Sequence, residues 1–212
     1  MNIIRHRGGQ ETEDSYRDIP IHAAAGVHAK VAELLAGRLP AQGRVADLGA
    51  GHGALSLRLH DAGFQVEAFD FDVQDWPLRE VPCRRFDLNE SLQAVRQFGP
   101  FEAICAVEVI EHLENPRRFL KELVSLAAEH GTWLVISTPN PLDTFSSISL
   151  FTRGIFNWFS RDHYEGGGHI SILPHWLIAK HLEHLGVKNQ EWFFLAPYRH
   201  PSPVKQVAYR MI

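Results

Sequence analysis

The sequence predicts an α/β fold built on an open, mostly parallel sheet, and three observations carry that prediction. Short apolar runs alternate with stretches of helical spacing between residues 45 and 137. Several of those runs end in an acid. The first leads straight into three glycines at alternate positions, in V-A-D-L-G-A-G-H-G from Val45 to Gly53. Glycines this close together let a backbone turn sharply at a strand end and approach a ligand with no side chain in the way. The helix that follows then offers its free N–H groups. In such a sheet the ligand site lies at the carboxyl ends of the strands, where these acids and glycines collect.

The elements follow in order. After a polar start, Ala23 to Leu39 carries Val27, Val31, Leu34, Leu35 and Leu39 at helical spacing and ends at Pro40, so residues 1–40 are expected to hold an N-terminal helical segment. Val45 to Leu48 is the first strand. Ala54 to Ala62 reads as a helix stopped by Gly63, and Gln65 to Phe69 as a second strand ending at Asp70. Arg84 to Phe86 is a short third strand before Asp87, followed by a helix at Leu92 to Phe98. Phe101 to Val107 is nearly all apolar, which suits a strand buried on both faces. Phe119 to Glu129 is helical, Gly131 breaks it, and Trp133 to Ser137 is the fifth strand.

The last third changes character. Residues 139–173 hold Phe145, Phe151, Phe156, Trp158 and Phe159 among glycines and serines with no clean period, and are expected to form a lid or insertion with some helix. Pro174 to Leu185 is a helix closed by Gly186. Val187 to Phe194 and Val204 to Ile212 then read as a closing antiparallel pair of strands.

A chain of 212 residues, 45% of them hydrophobic, suits one domain (1–212) with a sizeable core and excludes a disordered chain. The net charge of −4 gives no broad basic footprint for nucleic acid. Cys83 and Cys105 are the only cysteines, and the second lies in an apolar run, so a disulfide framework is not expected. No run approaches the roughly 20 apolar residues that cross a bilayer, and the reading is of a cytoplasmic protein. The oligomeric state is not legible.

Gly49, Gly51 and Ala54 also satisfy the dinucleotide pattern G-x-G-x-x-G/A, which keeps an NAD-type oxidoreductase as a rival. Asp47 discriminates between the two. A carboxylate there disfavours a pyrophosphate and favours a ligand carrying an ammonium and a sulfonium. The segment resembles the first motif of class I S-adenosylmethionine-dependent methyltransferases, in which an acid two residues before a G-x-G-x-G loop holds the methionine end of the cofactor. The closing strand pair likewise resembles the Rossmann-like seven-stranded, mostly parallel sheet of that family, with an antiparallel last strand and helices on both faces. The resemblance implies S-adenosylmethionine as cofactor, held by Asp47, Gly49, Gly51 and Gly53. Asp70 stands 19 residues after Gly51, where the family's acid accepts both ribose hydroxyls, and Asp72 is the alternative. Asp87 lies where the family's third acid meets the adenine amino group, with Leu88 offering a backbone N–H; an Asp capping the next helix is the other reading.

Glu108, Glu111 and His112 follow the fourth strand at spacing i, i+3 and i+4, which on a helix would put all three on one face. They suit a divalent cation such as Mg²⁺ or Mn²⁺, with His169 as fourth ligand and His163 second to it. The run resembles the E-x-x-E-H segment of ubiquinone-biosynthesis O-methyltransferases, and that of small-RNA 3′-terminal 2′-O-methyltransferases. It also resembles many small-molecule methyltransferases without an established metal. Methyl transfer needs alignment and exclusion of water, and a base only for a hydroxyl acceptor. His112 and His169 are the candidate bases, and Asn140 is a candidate on the acceptor side. The expected reaction is O-methylation of a small or lipid-linked molecule, with the aromatic lid a possible peripheral membrane contact. A metal-dependent 2′-O-methyltransferase of RNA ends and a non-catalytic cofactor-binding protein are the alternatives.

Overall fold

The computed structural model describes residues 14–195. A small hairpin opens it, β1 (Ser15–Tyr16) against β2 (Ile19–Pro20). Arg17 and Asp18 turn between them with positive φ. Helix α1 (Val27–Ala36) follows. The sheet then alternates with helices: β3 (Arg44–Leu48), α2 (Ala54–Asp61), β4 (Gln65–Asp70), β5 (Cys83–Arg85), β6 (Ala103–Val107), α3 (Pro116–Ala128) and β7 (Trp133–Ser137). Helices α4 (Thr144–Arg153), α5 (Arg161–Gly167) and α6 (His175–His184) complete the described residues.

The five sheet strands are all parallel, in the order β5-β4-β3-β6-β7. Successive strands therefore run outward from β3 in one direction and from β6 in the other. The crevice between the carboxyl ends of β3 and β6 is the switch point where such folds bind ligands. Alternate side chains serve opposite faces, as the strand period of two requires. Val45, Ala103, Cys105 and Val107 pack with Val27, Val31 and Leu35 of α1 and with Leu55 and Leu59 of α2. Ala46, Leu48, Ile104 and Ala106 pack with Phe119, Leu120 and Leu123 of α3 and Ile178 of α6. Helices thus cover both faces, and all five residues of β6 are buried.

Local sequence explains the boundaries. Asn115 caps α3 by accepting the Arg118 N–H at 2.9 Å, with Pro116 at the first helical position. The helix therefore starts three residues before its expected beginning at Phe119. Leu92 to Phe98 forms a 3-10 helix rather than an α-helix. Leu92, Val95 and Phe98 recur every third residue, which matches the 3-10 period and places Leu92 and Val95 in the core.

Helix α1 lies within the expected Ala23–Leu39, and the hairpin at 14–20 precedes it, where Ile19 buries against Ala54 and Leu57 while Tyr16 donates to Asp61 at 2.8 Å. Among the described residues the sheet has five parallel strands rather than the expected seven, and Val187–Phe194 carries no strand. Side chains hold that segment instead. Gln190 donates to the carbonyl of Val187 at 3.2 Å, Glu191 pairs with Arg38 at 2.6 Å, and Lys30 lies 5.2 Å over the Phe193 ring. The expected last strand, 204–212, lies outside the described residues.

Candidate active site

A cavity of about 610 Å³ opens at the carboxyl ends of β3, β4 and β6. Its floor is the glycine loop. The N–H groups of Gly49 and Ala50 donate to the Phe69 carbonyl at 2.8 and 3.1 Å, which folds the loop back over β4. Gly49 has no room for a side chain, since a Cβ would meet the Val109 side chain at 2.5 Å. Gly51 is the opposite case: a Cβ there meets no atom within 4 Å, so the open space beside it belongs to the cavity. Gly53 is buried under Trp76 and Leu78 and does not line the cavity, so its smallness serves packing of the loop.

The acids expected at the strand ends divide by hydrogen bonding. Asp47 is buried and accepts the Ser56 hydroxyl at 2.6 Å; burial pushes its carboxyl up to about 6. Asp70 accepts the N–H of Gly51 at 2.7 Å on one oxygen and that of Asp72 at 3.0 Å on the other. Asp72 turns away to accept the N–H of Gln74 at 3.0 Å and does not line the cavity. Asp87 and Leu88 do line it, and Asp87 accepts the Asn89 N–H at 2.8 Å. Asp47, Gly49, Gly51, Asp70, Asp87 and Leu88 therefore meet in one cavity.

The segment after β6 departs from the expected helix. Glu108 has φ of 54°, a left-handed value costly for a residue with a Cβ. Ser137 of the neighbouring strand holds it there, its hydroxyl donating to the Glu108 carboxylate at 2.6 Å and accepting the Glu108 N–H at 3.0 Å. Only Ile110–His112 are helical, as a 3-10 turn. The three side chains consequently do not share a face. Glu108 and His112 line the cavity, while Glu111 is fully buried with neither carboxylate oxygen hydrogen-bonded. Burial, then the charge of Glu108, raises Glu111 to about 8.

The lid brings His169 to this point. Helices α4 and α5 fill much of residues 139–173, and the strap after α5 is tied down by the N–H groups of Ile170 and Ser171, which donate to the Glu111 carbonyl at 3.0 and 2.9 Å. His169 meets His112 edge to face at 4.8 Å, and its Nδ1 lies 2.8 Å from the Trp158 carbonyl. Ligand atoms of Glu111, His112 and His169 lie within 4.8 Å of one another, a group that Glu108 does not join. His163 stands beyond, bonded to Ser160 at 2.6 Å. Burial lowers the pKa of His112, with His169 acting in the same direction. Asn140 caps its own turn by accepting the Leu142 N–H and lies off the cavity.

Several cavity residues escaped the sequence reading. Pro20, His22 and His28 enter from the hairpin and the start of α1, and Phe71 stands 61% exposed beside Asp70. No motif marks them. The surplus of histidines, thirteen in all, was the one available hint.

The model of a methyltransferase domain matches residues 21–206. The chain belongs to this methyltransferase domain family. A ubiquinone biosynthesis O-methyltransferase from Xanthomonas axonopodis pv. citri is 32% identical over 133 residues, 57% of this chain and 52% of that protein. Pavine N-methyltransferase from Thalictrum flavum subsp. glaucum is 25% identical over 171 residues, 68% of this chain and 46% of that one. The chain thus spans about half the length of the curated relatives it matches. The crystal structure of a SAM dependent methyltransferase from Archaeoglobus fulgidus shares the fold, with a TM-score of 0.51 at 20% identity over 75% of this chain and 68% of that one. The expectation of a class I S-adenosylmethionine-dependent methyltransferase is met, and the oxidoreductase reading falls. Among the described residues, no helix of this methyltransferase is long and apolar enough to cross a membrane.

Proposed function

We propose that this methyltransferase methylates an oxygen of a small or lipid-linked molecule, and that the acceptor docks between the cavity and the lid. One observation carries the reading: the cavity joins the glycine loop and the acids Asp47, Asp70 and Asp87 to Glu108 and His112. The donor set fits S-adenosylmethionine. Asp47 suits its ammonium, Asp70 its ribose hydroxyls and Asp87 its adenine amine, while Gly51 leaves room for the ligand. When bound, the cofactor supplies an electrophilic methyl on a sulfonium.

The chain's own residues have three tasks. The glycine loop and the strand-end acids orient the methyl donor for in-line transfer. The lid excludes water. His112, kept neutral near pH 7 by its lowered pKa, accepts the proton of the acceptor hydroxyl. Ile148 and Phe151 of α4, 51% and 92% exposed, give the lid an apolar outer surface in keeping with a lipid-like acceptor.

A second reading adds a divalent cation held by Glu111, His112 and His169. It is favoured by the orphaned carboxylate of Glu111, a buried acid whose missing partner a cation would replace. The test of both readings is incubation with methyl-labelled S-adenosylmethionine and quinol precursors, sugars or RNA, with and without chelator. Label on a small hydroxylated acceptor is expected. Label on RNA ends alone would overturn the small-molecule reading, and indifference to chelator would overturn the cation.

A further inference from the structure

The described residues lining the cavity include four carboxylates, Asp47, Asp70, Asp87 and Glu108, yet no lysine or arginine. Their only groups able to become cationic are His22, His28, His52 and His112. S-adenosylmethionine carries one anion, the carboxylate of its amino-acid end, and a site of this composition must find a counter-charge for it. Three of the four imidazoles converge. His22 and His52 stack at 5.0 Å and bond ring to ring at 3.0 Å, joining the segment before α1 to the glycine loop. His28 is the second residue of α1, whose apolar face packs against Val45 and Val107 of the two central strands. This places it at the β3–β6 side of the cavity, which Asp47 of β3 also lines, whereas Asp87 follows β5.

Given an S-adenosylmethionine site, we infer that His28, with the His22–His52 pair, receives the cofactor's carboxylate and takes up a proton as it does so. The charged and titratable groups acting on His28 are His22 before α1 and Arg58 on α2, and Asp47 of β3 lines the same cavity. Burial, and then the Arg58 and His22 charges, lower His28 to about 4, so it is neutral in the free protein. Its Nδ1 is buried without a hydrogen bond among the described residues. An arriving carboxylate reverses the balance: it supplies the negative charge that the imidazolium lacks, and the proton comes from buffer. A permanent cation would bind the same carboxylate with no proton taken up. Histidine makes cofactor affinity fall as pH rises.

The test is calorimetry at pH 6 with S-adenosylhomocysteine and with 5′-methylthioadenosine, which lacks the amino-acid end, in two buffers of different ionisation enthalpy. The wild-type protein is expected to take up a fraction of a proton with the first ligand and none with the second. His28→Gln should weaken S-adenosylhomocysteine by about tenfold, as expected for loss of one charge-assisted hydrogen bond. It should abolish the proton uptake and leave methylthioadenosine within about twofold. His22→Gln should show the same pattern at smaller size. Binding of S-adenosylhomocysteine without proton uptake would overturn the inference alone, as would equal weakening of both ligands. Failure of the wild-type protein to bind either ligand would overturn the cofactor reading as well.

Discussion

The two walls of the cavity are built from the same residue type and finished differently. On the β3–β5 wall every acid has its hydrogen bonds: Asp47 from Ser56, Asp70 from the amides of Gly51 and Asp72, Asp87 from the amide of Asn89. On the β6 wall Glu108 is held by Ser137, but behind it Glu111, which does not line the cavity, lies buried with neither carboxylate oxygen hydrogen-bonded. The first wall is preorganised, so a ligand meets acceptors already in place. The second leaves a buried carboxylate without a hydrogen bond, which costs about 1 to 3 kcal/mol. The comparison teaches that the strand-end acids of β3 to β5 are fixed by bonds within the protein, while the buried carboxylate beyond β6 has none.

The largest expected effect comes from filling the finished wall. Gly51→Val directs a side chain into the cavity while meeting no atom of the protein within 4 Å at its Cβ. Calorimetry should detect no S-adenosylhomocysteine binding. Because φ at this position is 55°, the strain should lower the melting temperature by about 2 to 8 °C without unfolding the chain. Retained affinity would mean that the ligand does not approach the loop.

Asp70→Ala comes next, with a loss of about 1 to 3 kcal/mol in S-adenosylhomocysteine affinity as the ribose loses a charged acceptor. An unchanged affinity would move that role to Asp72.

Asp47 tests what burial costs on the same wall. Its folded-state pKa, about 6, is raised above the ordinary carboxylate value, so the folded chain keeps a proton that the unfolded chain has already lost. Stability therefore falls as pH rises from about 4 to about 6 and stays low above that. Asp47→Asn should remove the fall, gaining about 1 to 2 kcal/mol at pH 8 and nothing at pH 4, while weakening cofactor binding. Chemical denaturation at the two pH values checks it, and equal stability changes at both would contradict the assignment.

The smallest expected effect concerns the unfinished wall. Mn²⁺ should raise the melting temperature of the wild-type protein by a few degrees through mass action. Glu111→Ala combined with His112→Ala should erase the gain. If the double variant responds as the wild type does, the cation lies elsewhere or does not bind.

The same contrast governs what the sequence discloses. Asp47, Gly49, Gly51 and Asp70 were legible because a strand end, a tight turn and a spacing fix them locally, and the structure gathers them into one cavity. Strand β6 was legible from its unbroken apolar run. Glu108 was misread because spacing i, i+3, i+4 presumes a helix, whereas Ser137 of another strand forces its backbone left-handed. His22 was invisible because its place depends on the hairpin docking onto α2, through Ile19 and the Tyr16–Asp61 bond, and His28 because its place depends on how α1 packs on the central strands. Val187–Phe194 has a strand's composition, yet its aromatic side chains find α1 and α6. Local chemistry was readable and long-range contacts were not.

The central claim is that the methyl donor lies along the finished wall with its reactive end toward the unfinished one. A crystal structure with S-adenosylhomocysteine tests it most directly. The account predicts the ribose hydroxyls on the Asp70 carboxylate, the adenine beside Asp87 and Leu88, and the sulfur facing the space before His112. A product bound with its ribose away from Asp70, or with its sulfur turned from His112, would contradict it.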